Sequence, residues 1–488
     1  MHPQYIEFIT VGFGIILLML EAFTNGNKTR IGLIAAAGLA VILAMLWTVP
    51  VKSADVPDWM SRFYHFDALA RFFKTIALIS TILVLLMAVD MKKVLSRYTS
   101  GDETGSALGE FFCLPVFACA GLMWMASARD LVSIFVALEL VTIAFYVMVA
   151  YMRRNVGSLE AGVKYLILGA LSTGFLVYGI AWVYGATGTT DLKLIEAALT
   201  KASWANSPQL PIDSPGSPTY LLFGLSLLLI SLAFKIGAAP MQLWIPDVYQ
   251  GAPTPITAYL SVASKAAGFL VMMVILAPFL GSAEISPKLV TILVILAGAT
   301  LVYGNLAALK QTNFKRLLAY SSIAHAGFLL MGVSSKDYVS VSFYLGTYLI
   351  MTFAAFFVLA LVRNEENSDT IDAFDGLGKR NPLLAACLTI TMAALAGIPL
   401  TAGFWGKFLV FKSAINSDVS WWLIAIAFMS VAAGFYYYLK VVKAMYWNAP
   451  SNEQALPLPV ITKTVLGVLT AALLIFGILP GPIIELLK

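Results

Sequence analysis

The 488 residues are 60% hydrophobic and only 12% charged, with a mean hydropathy of +0.86, far from the roughly 25% charged residues of an average soluble domain. A chain of this kind is a polytopic membrane protein, and its net charge of +5 is too small for its length to mark a nucleic-acid partner. Cys113, Cys119 and Cys387 show neither a Cys-x-x-Cys pair nor zinc-like spacing, and His2, His65 and His325 are too scattered for a haem pair. No G-x-G-x-x-G follows a strand-like run, so no cofactor or metal is expected in this chain and any redox chemistry must belong to others.

The N-terminus, MHPQYIEF, lacks the basic start of a signal peptide, so the first apolar run is expected to remain as a helix. Read in chain order with a 19-residue hydropathy window, the sequence gives about fourteen spans: roughly 5–23, 31–49, 68–89, 109–127, 130–151, 161–185, 219–249, 254–278, 288–308, 315–334, 339–363, 382–416, 420–446 and 461–485. Spans 219–249 and 382–416 are broken. They read GAAPMQLW at Gly237 to Trp244 and GIPLTAGFW at Gly397 to Trp405, and at membrane depth such interruptions are tolerated only where protein or a water-filled cavity satisfies the freed backbone groups.

Spans four to eight and nine to thirteen form two blocks of five, with the broken helix fourth in each. An odd number of spans turns the second block upside down, the inverted-repeat plan of many transporters. The expected fold is therefore all-α, with three leading helices in 1–105, a first repeat in 106–280, an inverted repeat in 281–447 and a last helix in 448–488. The short loops place Lys28 and Arg30, Lys92, Lys93 and Arg97, Arg153 and Arg154, and Lys310, Lys315 and Arg316 on one side. That side is expected to be cytoplasmic, which puts both termini on the other.

Ionisable residues deep in a span are costly and usually mark ion or proton paths. Glu139, in FVALELVTIAF, has no charged neighbour in its own helix, and Lys235, just before the first break, is the expected partner. Lys265, in ASKAAGF, lies near the middle of its span among small residues and too far from either interface to snorkel. Lys407, in GFWGKFLVF, follows the second break and could line the path or reach a surface. His325, in AYSSIAHAGFLL, has the chemistry of a proton relay, with Ser321 and Ser322 about one turn away as hydrogen-bond links. Lys164 and Lys440 read as anchoring residues near span ends, and Asp67, Arg71 and Lys74 as a local ion-pair cluster on one helix face. The physics alone reaches a translocator of protons or small cations. Burial can bring a lysine amine toward neutrality whereas arginine stays charged, and no cluster of carboxylates suggests sodium, so protons are preferred.

Four stretches carry a more specific signal: EAGVKYLILGALSTGFLVYG (Glu160 to Gly179), WIPDVYQGAPTPITAYLSVASKAAGF (Trp244 to Phe269), KRLLAYSSIAHAGFLL (Lys315 to Leu330) and GIPLTAGFWGKF (Gly397 to Phe408). They resemble the subunit N family of the bacterial proton-pumping NADH-quinone oxidoreductases, respiratory complex I. The resemblance covers spans four to thirteen, and the three leading helices resemble the longer bacterial form. It implies fourteen helices with two inverted five-helix repeats, a place in the membrane arm of the bacterial inner membrane beside the other antiporter-like subunits and lipid, and proton translocation driven by quinone reduction elsewhere. NADH, FMN, iron–sulfur clusters and quinone would belong to the whole complex and none to this chain.

By the same resemblance Glu139 and Lys235 become an ion pair, Lys265 the central lysine, His325 part of the polar axis and Lys407 the terminal proton residue. Gln242 departs from the histidine many relatives carry in that break. Moving one charge against about 100 mV takes about 2.3 kcal/mol, within reach of modest changes in proton affinity at such sites. Two other functions fit the same chemistry: a subunit of a cation/proton antiporter or of a ferredoxin-, F420- or hydrogen-linked complex, and a membrane scaffold that does not pump.

Overall fold

A computed structural model describes residues 2–24, 26, 28–51, 58–201, 218–417, 419–450 and 454–487. Thirteen helices among the described residues are long and apolar enough to cross a membrane. In chain order the spans are α1 (Tyr5–Phe23), α2 (Thr29–Thr48), α3 (Ala68–Asp90), α4 (Gly109–Ser127), α5 (Leu131–Val149), α6 (Val156–Thr187), α7a (Pro218–Ile236) with α7b (Trp244–Gly251), and α8 (Thr254–Gly281). They continue with α9 (Ser286–Leu309), α10 (Phe314–Ser334), α11 (Tyr338–Glu366), α12a (Pro382–Ala396) with α12b (Ala402–Asn416), α13 (Trp421–Trp447) and α14 (Val460–Ile478). The fourteenth expected span is thus the α12a–α12b pair, two 15-residue helices each too short to cross alone.

Both breaks use the same local device. α7a ends at Ile236 and Gly237 follows at φ +75°; α12a ends at Ala396 and Gly397 follows at φ +89°. These left-handed positions suit glycine, which has no Cβ to collide with the following carbonyl. Their effect is to leave helix-end carbonyls inside the bundle, free to accept from a side chain.

The fold adds an irregularity that hydropathy does not reveal. Within α8 the turn Leu260–Ser264 is π-helical and ends directly before Lys265. Such bulges widen the backbone ladder and recur at functional positions. Short helices that cross nothing, Lys92–Thr99 and Leu192–Lys201, lie in loops that the sequence reading left unassigned.

The helices are sorted by depth. The most apolar window of α10 is wholly buried, those of α11 and α8 are 89% and 83% buried, while α1 and α6 are 28% buried. A helix surrounded by other helices can carry polar side chains at bilayer depth because its neighbours, not lipid, satisfy them. In lipid, close approach of backbones replaces the hydrophobic drive. At the α6–α7a contact, Gly179 and Gly224 face each other so tightly that a Cβ on Gly179 would lie 2.9 Å from the Gly224 carbonyl oxygen. α7b in turn packs on α6 and α10, and α3 packs on α2, α4, α8, α11 and α14.

Candidate proton-translocation site

Lys235, Lys265, His325 and Lys407 are all buried, at 9%, 2%, 2% and 7% exposure, and Glu139 is half-buried. Glu139 and Lys235 face one another electrostatically but do not touch. The Lys235 ammonium donates to Thr142 Oγ1 at 2.8 Å, and Glu139 accepts instead from Thr173 Oγ1 of α6 at 2.7 Å. The two residues make no ion pair among the described residues. Thr142 lies one turn beyond Glu139 on α5, so a hydroxyl holds the lysine beside the helix that carries the carboxylate. Glu139 lines a cavity of about 640 Å³ with Tyr146 and Thr173, open to the outer surface of the bundle.

Lys265 donates to both the backbone oxygen and the hydroxyl of Ser322 on α10, and its ammonium stands 5.8 Å from the centre of the Tyr348 ring. No carboxylate pairs with it among the described residues. A buried ammonium held only by neutral acceptors and an aromatic face can lose its proton without leaving an unpaired anion behind.

His325 bridges two tyrosines, with Nδ1 2.7 Å from Tyr344 Oη and Nε2 3.1 Å from Tyr438 Oη. Ser321 hydrogen-bonds Tyr438 in turn. Of the two serines expected as hydrogen-bond links, Ser321 reaches the imidazole through Tyr438, and Ser322 serves Lys265 instead. Ser321 and Ser322 are adjacent on α10, so two hydrogen-bonded arms, Lys265–Ser322 and Ser321–Tyr438–His325–Tyr344, start from neighbouring residues of one buried helix, with no hydrogen bond between the two serines among the described residues. Each hydroxyl on them can accept one proton and donate another, and an imidazole can take a proton on one nitrogen while giving one from the other.

Lys407 settles between the two roles left open for it. It turns inward, donating to the carbonyl oxygens of Leu395 and Ala396 at 2.8 Å each. These are the last carbonyls of α12a, where a cation is favoured by the helix dipole. A cavity of about 390 Å³, lined by Gly397, Lys407, Phe408, Phe411 and Lys412 among others, opens beside it. Phe328, one turn beyond His325, places its ring 5.4 Å from the ammonium, and Tyr344 packs beside Gly406, next to Lys407 on α12b.

Tyr344 and Tyr438 were not singled out from sequence, although a tyrosine in the middle of a span must find a partner for its hydroxyl and could have been. Thr142 and Thr173 carried no such signal. Lys164 and Lys440 also do more than anchor: Lys164 pairs with Asp247 at 2.8 Å and Glu160 at 2.7 Å, Asp247 pairs with Arg316 at 3.1 Å, and Lys440 donates to the Gln311 carbonyl at 3.0 Å. The Asp247 bridges join α6, α7b and α10. Gln242 is buried with its Oε1 unpartnered. Asp67, Arg71 and Lys74 form no local cluster: Asp67 pairs with Arg129 at 3.1 Å, Arg71 lies over Trp47 at 4.6 Å, and Lys74 pairs with Glu7. Tertiary packing offered each of them a partner from elsewhere in the chain: Arg129 between α4 and α5, Trp47 of α2 and Glu7 of α1.

Comparison with known proteins places the fold. The family described as NADH:quinone oxidoreductase/Mrp antiporter, TM, matches residues 128–434. The NADH-quinone oxidoreductase subunit N of Trichlorobacter lovleyi is 38% identical, with 98% of this chain and 94% of the relative covered. Among solved structures, a chain of respiratory complex I from Thermus thermophilus with bound aureothin superposes with a TM-score of 0.79 at 31% identity, covering 98% of each chain. A chain of an archaeal membrane-bound sulfane sulfur reductase superposes at 0.85 but is 24% identical and covers 99% of this chain and 95% of its own, a likeness of fold alone. With the family matched through both breaks and relatives alike over nearly their whole length, the chain belongs to the NADH:quinone oxidoreductase/Mrp antiporter transmembrane family, in its subunit N group.

Proposed function

We propose that the chain is a proton-translocating subunit in the membrane arm of an NADH-quinone oxidoreductase, beside the other antiporter-like subunits. Nicotinamide, flavin, iron–sulfur and quinone chemistry belongs to partner subunits, so this chain's part in the enzyme is the movement of protons that their electron transfer drives. The observation that carries the reading is the pair of buried polar arms that start from adjacent serines of α10, Lys265–Ser322 and Ser321–Tyr438–His325–Tyr344, the second ending beside Lys407 at the second break. Lys235 and Glu139 lie at the first break and on its neighbour α5, and serve as the entry element.

In this mechanism Lys265 holds the transferable proton against Ser322. The Ser321–Tyr438–His325–Tyr344 segment passes a proton by hydroxyl reorientation and exchange of imidazole tautomer. Lys407 takes the charge at the end of α12a, where two carbonyls stabilise it. The domain division 1–105, 106–280, 281–447 and 448–488 is the working frame, with the repeats inverted about the two breaks. The basic loops face the cytoplasm and both termini the opposite side, in a bacterial inner membrane.

The test is made on the intact complex in reconstituted vesicles. Lys265→Ala leaves it assembled and strongly reduces protons pumped per NADH together with coupled quinone reduction; Lys265→Arg does not restore them, because arginine keeps its proton. Wild-type turnover and pumping in the arginine variant would exclude Lys265 as a carrier.

A further inference from the structure

A second set of buried ionisable residues stands apart from the arms just described. Lys74 on α3 is fully buried and Glu7 on α1 is 2% exposed, with the ammonium 2.5 Å from Glu7 Oε1. Tyr64 completes the cluster: its hydroxyl donates to Glu7 Oε1 at 3.1 Å and accepts from the Lys74 ammonium at 2.6 Å. The rings of Tyr64 and Phe66 lie 4.7 and 4.8 Å from the same ammonium. A lysine, a carboxylate and a phenol are thereby removed from lipid and water together, an arrangement that packing alone does not require.

The cluster has neighbours on two sides. Toward the membrane face lie Asp67, paired with Arg129 at 3.1 Å, and His65, 3.7 Å from Asp67. These groups are partly exposed, His65 at 47% and Asp67 at 37% of the side chain, and burial, then the Arg129 guanidinium, holds the His65 imidazole below its ordinary value. Toward the interior, Thr10, one turn beyond Glu7, and Cys119 both meet Met123 Sδ at 3.9 Å. Helix α3 also packs on the π-helical turn before Lys265, and its Thr81 shares a 2.7 Å hydrogen bond with Tyr259 of α8. The helix that carries Lys74 is therefore in contact with the helix that carries the central lysine.

We infer that Glu7, Lys74 and Tyr64 form a proton-release station, which takes a proton from the central arms and delivers it to the membrane face marked by His65 and Asp67. This rests on the reading of the chain as a proton translocator, with that face non-cytoplasmic. A proton arriving on the Glu7 carboxylate gives the neutral acid beside a still-charged Lys74. The Lys74 ammonium then gives a proton to the Asp67 carboxylate or the aqueous phase, and the Glu7 proton passes to the Lys74 amine, restoring carboxylate and ammonium; arginine, which keeps its proton, cannot take this step. One proton enters, one leaves, and no electron moves.

A buried pair that served only as a staple would make other demands. It would accept arginine for lysine, and it would accept joint replacement by apolar or neutral groups of similar size, since removing both members of a buried pair leaves no uncompensated charge. The experiment uses intact complexes in sealed vesicles, with assembly, NADH oxidation and internal pH recorded for Lys74→Arg, for the Glu7→Gln/Lys74→Met double variant and for Lys265→Ala. A release station gives assembled Lys74→Arg and double-variant complexes whose coupled pumping falls by about tenfold or more, as for a lost proton-transfer group. Wild-type pumping in either variant overturns the proposal, and so does failure of both to assemble, which makes the cluster a packing element. The Lys265→Ala arm separates the two readings: pumping lost there but kept in Lys74→Arg removes the release station alone, while pumping kept there removes the translocator reading itself.

Discussion

Replacing Gly397 by alanine tests whether the second break exists to seat Lys407. Gly397 has φ +89°, and a Cβ added there would lie 2.9 Å from Lys407 Cδ and 3.3 Å from its ammonium nitrogen. The left-handed backbone costs an L-residue about 1–2 kcal/mol. The Cβ contact further pushes the lysine stem away from the Leu395 and Ala396 carbonyls, and one hydrogen bond to a charged group is worth about 1.5–3 kcal/mol. The second term alone corresponds to about tenfold to a hundredfold in the equilibrium for seating the ammonium. Gly397→Ala in the assembled complex is therefore expected to slow pumping nearly as much as Lys407→Ala, and the Gly397→Ala/Lys407→Ala double variant to be no slower than Lys407→Ala, because both changes act through one group. Proton uptake into vesicles per NADH oxidised is the assay, with assembly followed on native gels. Normal pumping in Gly397→Ala, or losses that add in the double variant, would refute the reasoning.

Two further predictions concern the first break and the polar arms. The Lys235–Thr142 contact should give a coupling of about 1–3 kcal/mol in a Thr142→Val/Lys235→Met double-mutant cycle on pumping, larger than that of Glu139→Gln with Lys235→Met; equal or opposite couplings would mean that the threonine is not the lysine's working partner. Tyr438→Phe should interrupt proton passage between Ser321 and His325 and lower pumping, whereas Tyr437→Phe, whose hydroxyl bonds Asn305 at 3.2 Å, should spare it, and a wild-type pumping rate in Tyr438→Phe would remove that hydroxyl from the path.

The partners of the buried charges are where sequence reading and structure part. Glu139 and Lys235 were paired because each was alone in its own span, yet a hydroxyl one turn along α5 took the lysine and a hydroxyl from α6 took the carboxylate. Threonines are common in spans and give no sign of such a role. Lys74 was read with its sequence neighbours Asp67 and Arg71 because spacing along one helix was the available geometry. Its partner came from α1, more than sixty residues earlier.

What the sequence by itself determined is the membrane class, the number and order of the spans, the two breaks and the five ionisable residues set inside the spans, Glu139, Lys235, Lys265, His325 and Lys407. These follow from local quantities: twenty apolar residues suffice to cross the hydrocarbon, glycine and proline interrupt a helix wherever they stand, and a charge among apolar neighbours is conspicuous without any knowledge of the fold. Only the tertiary structure decided which hydroxyl or carbonyl each charge touches, that Tyr344 and Tyr438 bracket His325, that a π-helical turn precedes Lys265, and that Glu7, Lys74 and Tyr64 meet. The physical reason is that a helix satisfies its own backbone and leaves its side chains to be satisfied by whichever neighbour packs beside them. In a bundle of fourteen spans that choice is made by the packing of whole helices, and no window along the chain contains it.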